Sequence, residues 1–244
     1  GFGGGDESLF DHYWPANLHI IGKDITRFHC VIWPAMLMSG GVPLPETVFG
    51  HGFIYHRGEK MSKSLGNVVS PLDVVDSYGA DSLRYFLLRE VVYGQDGDFT
   101  FERFIERYNS DLANDLGNLV SRTLTMIQRY CDGVLPESAA GADGLVSSDA
   151  GTYIARWREA LENYELSAAC DAAWEYVRAA NRYIEEKAPW KLARDPARRR
   201  ELEAVLYDLA SMLGGIAVMM YPYIPSTAAK IWRMVHLDTV HGAI

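Results

Sequence analysis

The chain has 244 residues, 48% of them hydrophobic and 23% charged, with a formal net charge of −9. Those values are those of a soluble globular protein with room for one large or two modest domains, and the acidic balance argues against indiscriminate nucleic-acid binding while leaving a local basic surface open. Cys30, Cys131 and Cys170 are odd in number, widely spaced and without a C-x-x-C pair, which makes a zinc knuckle or a disulfide framework improbable and fits reduced thiols in a cytoplasmic protein. No run of about 18 apolar residues appears, so no membrane span is expected. The start, Gly1-Phe2-Gly3-Gly4-Gly5-Asp6, has no Met and no signal-peptide pattern, and reads as a cut into a longer protein.

Leu18-His19-Ile20-Ile21 is a short apolar run closed by Gly22-Lys23-Asp24, which predicts one strand-to-helix step of an α/β sheet. The helix is expected from near Thr26 to Met38, capped by Thr26 or Asp24 and kinked or opened by Pro34, with Gly40-Gly41-Val42-Pro43 as its stop. Val48 to Tyr55 alternates as a second strand and leads into Arg57-Gly58 and then Glu59-Lys60-Met61-Ser62-Lys63-Ser64-Leu65-Gly66-Asn67. The last stretch is cationic, with flexible ammonium groups suited to a phosphate chain whose charge moves during reaction. A solvated Lys/Ser turn is the plain alternative.

Beyond it the pattern turns helical. Ser70-Pro71-Leu72-Asp73 is a strong helix start, Gly79 an end, and Asp81 the next start. Tyr93 to Asp98 is turn-rich, and Thr100 caps a stretch reaching about Tyr130, as one helix or as two with a break near Asn109. Residues 132–149 read as a low-complexity linker. Helices near 150–163, 166–187 and 196–220 follow, the third started by Asp195-Pro196, and a last one runs from Ser226 to about Val235. The expected fold class is α/β followed by all-α: the tail of a Rossmann-type nucleotide-binding domain over 1–69, a helical connector over 70–99 and a helix bundle over 100–244.

Several residues stand where chemistry is expected. Gly22-Lys23-Asp24 follows a strand's carboxyl end, where α/β sheets bind ligands; an ordinary β–α turn remains the alternative. Ile25, Phe28, His29, Trp33 and Met36 recur at helical spacing, as a core stripe or as the wall of a pocket for a linear, polarizable side chain. His51 lies on the strand entering the lysine stretch, and Phe53 and Ile54 are placed to show backbone groups to a base edge, if this is more than a plain strand. Asn114, Asn118 and Arg122 are spaced i, i+4, i+8 on one stripe, while Leu112, Leu116, Leu119 and Thr123 point to a core. Asn is a poor choice for an idle wet face, and the three form a fork able to read unpaired base edges. Ala188-Pro189-Trp190 after a helix end offers either a stacking platform or a core plug. Arg198-Arg199-Arg200 reads as a solvated helix face.

The run Lys60 to Ser64 resembles the second signature of class I aminoacyl-tRNA synthetases. Taken in order with Gly22-Lys23-Asp24-Ile25, Arg27-Phe28-His29, Trp33-Pro34-Ala35-Met36-Leu37 and His51-Gly52-Phe53, the chain looks like the methionyl-tRNA synthetase family. The isoleucyl, valyl, leucyl and cysteinyl enzymes share the lysine stretch but not the His29/Trp33-Pro34 helix in this form. The resemblance implies an α/β half-site joined to an anticodon-binding bundle, acting in ATP-dependent activation of methionine and its transfer to tRNA(Met). It implies Lys60 and Lys63 as catalytic groups on the triphosphate. Gly22, Asp24, His51, Ile54 and Ser62 join them around ATP; Ile25, His29 and Trp33 line the methionine pocket; Asn114, Asn118, Arg122 and Trp190 meet the CAU anticodon. Mg²⁺ is expected with ATP rather than in a dedicated metal site, and no membrane partner. The family's first signature, His-Ile-Gly-His, is not in these 244 residues. A half-enzyme completed by a separate N-terminal part, or a non-catalytic tRNA-binding module, is therefore a standing alternative, and another class I synthetase (isoleucyl, valyl or leucyl) is a third.

Overall fold

The structure, a computed structural model, describes residues 7–62, 66–92, 94–136 and 150–235. The chain divides into two compact units, Gly1–Val68 with Val92–Phe99, and Val69–Val91 with Thr100–Ile244. The stretch 70–99 is thus shared between the two.

The first unit is α/β. Strand β1 (Leu18–Gly22) pairs in parallel with β2 (Thr47–His51), and Gly22 stands directly beside His51. A short helix α1 (Glu7–Tyr13) precedes β1. Between the strands the expected single helix is three pieces: a 3₁₀ turn Lys23–Ile25, a π-helical segment Phe28–Ile32 and α2 (Trp33–Ser39). Neither Thr26 nor Asp24 caps them; the Thr26 hydroxyl instead donates to the Lys23 carbonyl at 2.8 Å. The expected opening at Pro34 has a specific form. Proline brings no N–H, the Trp33 N–H reaches back to the Phe28 carbonyl, and the turn before the proline widens. Gly40 and Gly41, the latter at φ +68, end α2.

The expected strand Val48–Tyr55 is two strands in two sheets. After β2 the chain leaves the first sheet at Gly52-Phe53 and enters β3 (Ile54–His56), which lies between β4 (Glu59–Lys60) and β5 (Gly97–Phe99). Gly52 forces this break. A Cβ there would lie 2.1 Å from the Gln95 carbonyl oxygen, so only glycine admits the crossing backbone. The β3–β4 turn has Arg57 at φ 55 and Gly58 at φ 75, the two positive angles that match a two-residue hairpin to strand twist.

The second unit is all-α. Ser70 caps α3 (Pro71–Tyr78) by accepting from the Asp73 N–H, and Gly79 at φ 83 ends it. Helix α4 (Ala80–Glu90) has no side-chain cap of its own. Asp81 instead accepts from Ser226 N and Thr227 N at the start of α11 (Pro225–Met234). Thr100 caps α5 (Phe101–Arg107). The break expected near Asn109 is a ten-residue π-helical segment, Tyr108–Gly117, running straight into α6 (Asn118–Cys131). The linker 132–149 is described only to residue 136. Helices α7 (Ala150–Glu162), α8 (Leu166–Lys187), α9 (Pro189–Leu192) and α10 (Arg199–Met220) follow, with Asp195 accepting from Ala197 N as expected. Helix α10 and the turn before it are long and apolar enough to cross a membrane, contrary to the expectation from sequence, yet most of that window is buried inside the protein. It is the central core helix, flanked by Trp174, Tyr176 and Val177 of α8 and Ile231 and Trp232 of α11.

Candidate functional site

In the α/β unit the ligand edge is built by β1 and β2 ending together. Their parallel register sets Gly22 against His51, with Asp24 exposed on the 3₁₀ turn beyond. His51 is turned back on its own strand: Nδ1 donates to the Gly52 carbonyl at 2.9 Å. Ile54 opens β3. Ile25 and His29 are joined by a 3.1 Å contact from His29 Nδ1 to the Ile25 carbonyl. A carbonyl only accepts, so Nδ1 is the donor in this contact. His29 and Trp33 sit at the back of an aromatic group, with His19 6.4 Å from His29 and Trp14 6.2 Å from Trp33 between ring centroids. Trp33 Nε1 and His19 Nδ1 are both buried without a hydrogen-bond partner among the described residues, a cost that a bound polar group would remove.

Lys60 is carried by the β3–β4 hairpin opposite Tyr55, and its ammonium lies 4.6 Å from the centroid of the Phe53 ring. Ser62 donates its N–H to Asn67 Oδ1 at 2.8 Å, and Asn67 Nδ2 donates to the Lys60 carbonyl. Asn67 therefore clasps the base of the lysine stretch from its far end. Lys63, the other catalytic candidate, lies outside the described residues.

Asp96 is a residue of this region that local pattern does not reveal. Its two carboxylate oxygens each accept a hydrogen bond from Lys23 Nζ at 2.6 Å, and Oδ1 also accepts from Phe53 N at 2.9 Å. The lysine hydrogen bond, then the backbone one, holds the Asp96 carboxyl below its usual value, and the same contact raises Lys23. Lys23 is 5.0 Å from the Phe53 centroid, so both ammonium groups meet one ring.

In the helical unit, Asn114, Asn118 and Arg122 line one wall of a groove of about 580 Å³ whose other wall is Arg178, Asn181, Arg182 and Glu185 of α8. Leu116, Leu119 and Thr123 are buried on the opposite side, with Leu112 partly so, as the spacing predicts. Arg122 reaches across to Glu185 at 2.6 Å, and its guanidinium carbon is 5.9 Å from the Trp190 ring. Trp190 follows Ala188, whose φ of 43 turns the chain after α8. One side of the indole packs on the core, and the residue keeps partial exposure. Asn114 stands on the π-helical segment, and Asn181 Nδ2 from α8 donates to the neighbouring Asp115 carbonyl at 3.2 Å. That brace was not legible in the i, i+4 pattern. Burial, followed by the nearby Asp111, raises Asp115 above the usual carboxylate value. Arg198 and Arg199 pair with Glu201 and Glu203 on an exposed face, but Arg199 also donates to the Tyr130 carbonyl of α6 and so is more than a solvated residue. Among the described residues no group of three or more His, Cys, Asp or Glu is arranged to hold a metal ion.

Comparison with known proteins follows the same division. A family model described as tRNA synthetases class I (M) matches residues 3–124, and one described as the anticodon-binding domain of tRNA ligase matches residues 143–242. The methionine–tRNA ligase of Enterococcus faecalis is 47% identical over 241 residues, 98% of this chain and 36% of that protein. The Bacillus subtilis methionine–tRNA ligase is 47% identical over 232 residues, 93% of this chain and 35% of that protein. Mycobacterium tuberculosis methionyl-tRNA synthetase, solved in complex with methionyl-adenylate, superposes with a TM-score of 0.89 at 39% identity, covering 100% of this chain and 50% of that one. Its apo form gives 0.84 at 38% identity, over 95% and 46% of the two chains. The chain thus spans little more than a third of the curated relatives it matches. Matched over half its length by the class I (M) model and alike in fold and sequence to these relatives along the whole of it, the chain belongs to the methionyl family of class I tRNA synthetases.

Proposed function

We propose that this chain is the part of a methionine–tRNA ligase that supplies the lysine side of the adenylate site and reads the tRNA anticodon. The observation that carries this reading is the likeness, over 100% of the chain, to a methionyl-tRNA synthetase solved with methionyl-adenylate. In the first step a methionine carboxylate oxygen attacks the α-phosphorus of ATP, forming methionyl-adenylate while pyrophosphate leaves. Lys60 and Lys63 balance the charge moving onto the departing phosphates, with Lys63 the stronger contributor. Gly22 and Asp24 meet the ribose, His51 and the backbone at Ile54 flank the adenine, and Ser62 donates toward the phosphates. Ile25, His29 and Trp33 enclose the thioether side chain. In the second step a ribose hydroxyl at the tRNA 3′ end attacks the adenylate carbonyl and AMP leaves. No covalent enzyme intermediate is needed, and rate comes from positioning and electrostatics. Mg²⁺ enters with ATP as part of the substrate. Asn114, Asn118 and Arg122 pair with unstacked CAU bases, and Trp190 stacks on one of them. The three free cysteines suit the reducing cytoplasm.

ATP–pyrophosphate exchange, run with each amino acid on the protein of the complete reading frame, tests the reading. Exchange supported by methionine alone is expected; exchange with isoleucine, valine or leucine would overturn it. A second reading is favoured by one feature: the polar groove lies wholly within the helical unit. On that basis the 244 residues bind tRNA(Met) without activating methionine. Robust methionine-dependent exchange by these residues alone would exclude it.

A further inference from the structure

We propose that Lys23 is a further nucleotide-binding residue, an ammonium aimed at the polyphosphate and held ready by Asp96 and the face of Phe53. The proposal rests on the adenylate-site reading above and adds a residue to it. Lys23 follows Gly22 at the carboxyl end of β1, where the sheet offers ligands its edge. Its flexible side chain would ordinarily sample many rotamers. Here its Nζ sits 2.6 Å from both oxygens of Asp96, 73 residues away, and 5.0 Å from the Phe53 centroid.

The holder is itself held. Asp96 Oδ1 accepts from Phe53 N, Gly97 N donates to the Phe53 carbonyl, and Gly52 admits the Gln95 backbone at a distance no Cβ would tolerate. Asp98 adds a second tie, accepting from Gly58 N in the hairpin turn that delivers Lys60. The carboxylate is therefore a fixed point, and the ring beside it carries a second ammonium, that of Lys60, at 4.6 Å. Both ammonium groups thus lie within 5.0 Å of one ring centroid, which places them in the same neighbourhood of the site. An ammonium has three protons. Asp96 accepts hydrogen bonds from two of its N–H groups and leaves the third to donate to a ligand oxygen, and the Lys23 side chain is 44% exposed. A purely structural ion pair at such exposure would contribute little, so the backbone ties around Asp96 are better explained by a need to aim the lysine.

The test is ATP–pyrophosphate exchange by the protein of the complete reading frame, comparing wild type with Lys23→Ala and Lys23→Arg. Lys23→Ala is expected to lower kcat/KM for ATP and for pyrophosphate by roughly 10–100-fold, the weight of one charge-assisted hydrogen bond. The KM for the amino acid should stay within about twofold, because Lys23 does not touch that pocket. Lys23→Arg, which keeps the charge and can pair with Asp96, should recover most of the loss. Unchanged nucleotide constants in Lys23→Ala would overturn the proposal. So would an equal fall in amino-acid and nucleotide constants, which would make Lys23 a brace for the sheet edge. Wild-type exchange with an amino acid other than methionine would refute the functional reading while leaving the Lys23 comparison intact in that amino acid. If wild type exchanges with none, tripolyphosphate binding by the 244-residue chain decides: equal affinity in wild type and Lys23→Ala sinks the inference, and a tenfold loss in the variant supports it.

Discussion

In the helical unit the groove residues stand on helices whose opposite faces are closed. Asn114, Asn118 and Arg122 alternate with Leu116 and Leu119, which are fully buried, and the wall opposite them is α8, whose Trp174, Tyr176 and Val177 are buried too. In the α/β unit the candidate residues have far less beneath them. Of the five residues of β1 only Ile21 is buried. Phe28 and Met36, at the spacing of a core stripe, are 57% and 60% exposed. Position there is kept by side-chain hydrogen bonds instead: Asn67 to the backbone of the lysine stretch, Asp96 to Phe53 N and the Lys23 ammonium, Asp98 to Gly58 N. One unit positions by packing and the other by hydrogen bonds. Packing tolerates little change in volume, whereas a hydrogen-bonded turn tolerates volume but not the loss of one partner.

The comparison can be broken most sharply in the bundle core. Trp174→Ala should cost about 3–5 kcal/mol of helical-unit stability, as for other buried aromatic truncations. Urea unfolding followed by tryptophan-independent circular dichroism measures it, and a loss below about 1 kcal/mol would show a core far more pliable than its burial indicates. Next comes the lysine stretch. Lys63→Ala in the complete enzyme should slow adenylate formation by about 10²–10³-fold with little change in methionine affinity, the range seen when a transition-state donor is removed. Equal losses in both would count against a phosphate role.

Trp190→Ala should weaken cognate tRNA charging by about 1–3 kcal/mol, the weight of one stacked base, while leaving ATP–pyrophosphate exchange intact. A parallel fall in exchange would mean that the indole's packing on the core matters more than its exposed side. The smallest effect is expected at the rim. Glu185→Gln removes the charge that holds Arg122 across the groove, and exposed pairs of this kind are worth about 0–1 kcal/mol. Stability should hardly move, whereas tRNA affinity should change if Arg122 must leave Glu185 to meet a base. Unchanged affinity would mean that Arg122 binds from where it stands.

Much of this was legible locally. Ser70, Thr100 and Asp195 cap helices as their sequences predict, because a cap is decided within three residues. The buried stripe Leu116, Leu119 and Thr123 follows from period alone. The class I signature around Lys60 is short and contiguous, so the class could be read from it directly, and the nearby Gly22–Ile25, His29 and Trp33–Leu37 stretches narrowed it to the methionyl family. Where reading failed, the deciding partner was distant. Val48 to Tyr55 alternates like one strand, yet Gln95 crosses at Gly52 and splits it between two sheets. Asp81 stands in the first turn of α4, as the pattern predicts, but its carboxylate caps α11, 145 residues on, which no local pattern records.

From the sequence alone came the order of the two units, the lysine stretch, the Asn114–Asn118–Arg122 stripe and the family they resemble, all carried by residues within a turn or two of each other. The tertiary structure decided which of those residues are held and by what. Lys23 meets Asp96 across 73 positions, Asn181 braces the Asp115 carbonyl across 66, and Arg122 finds Glu185 across 63. Such pairings depend on how the chain closes on itself, and local periodicity carries no record of that closure.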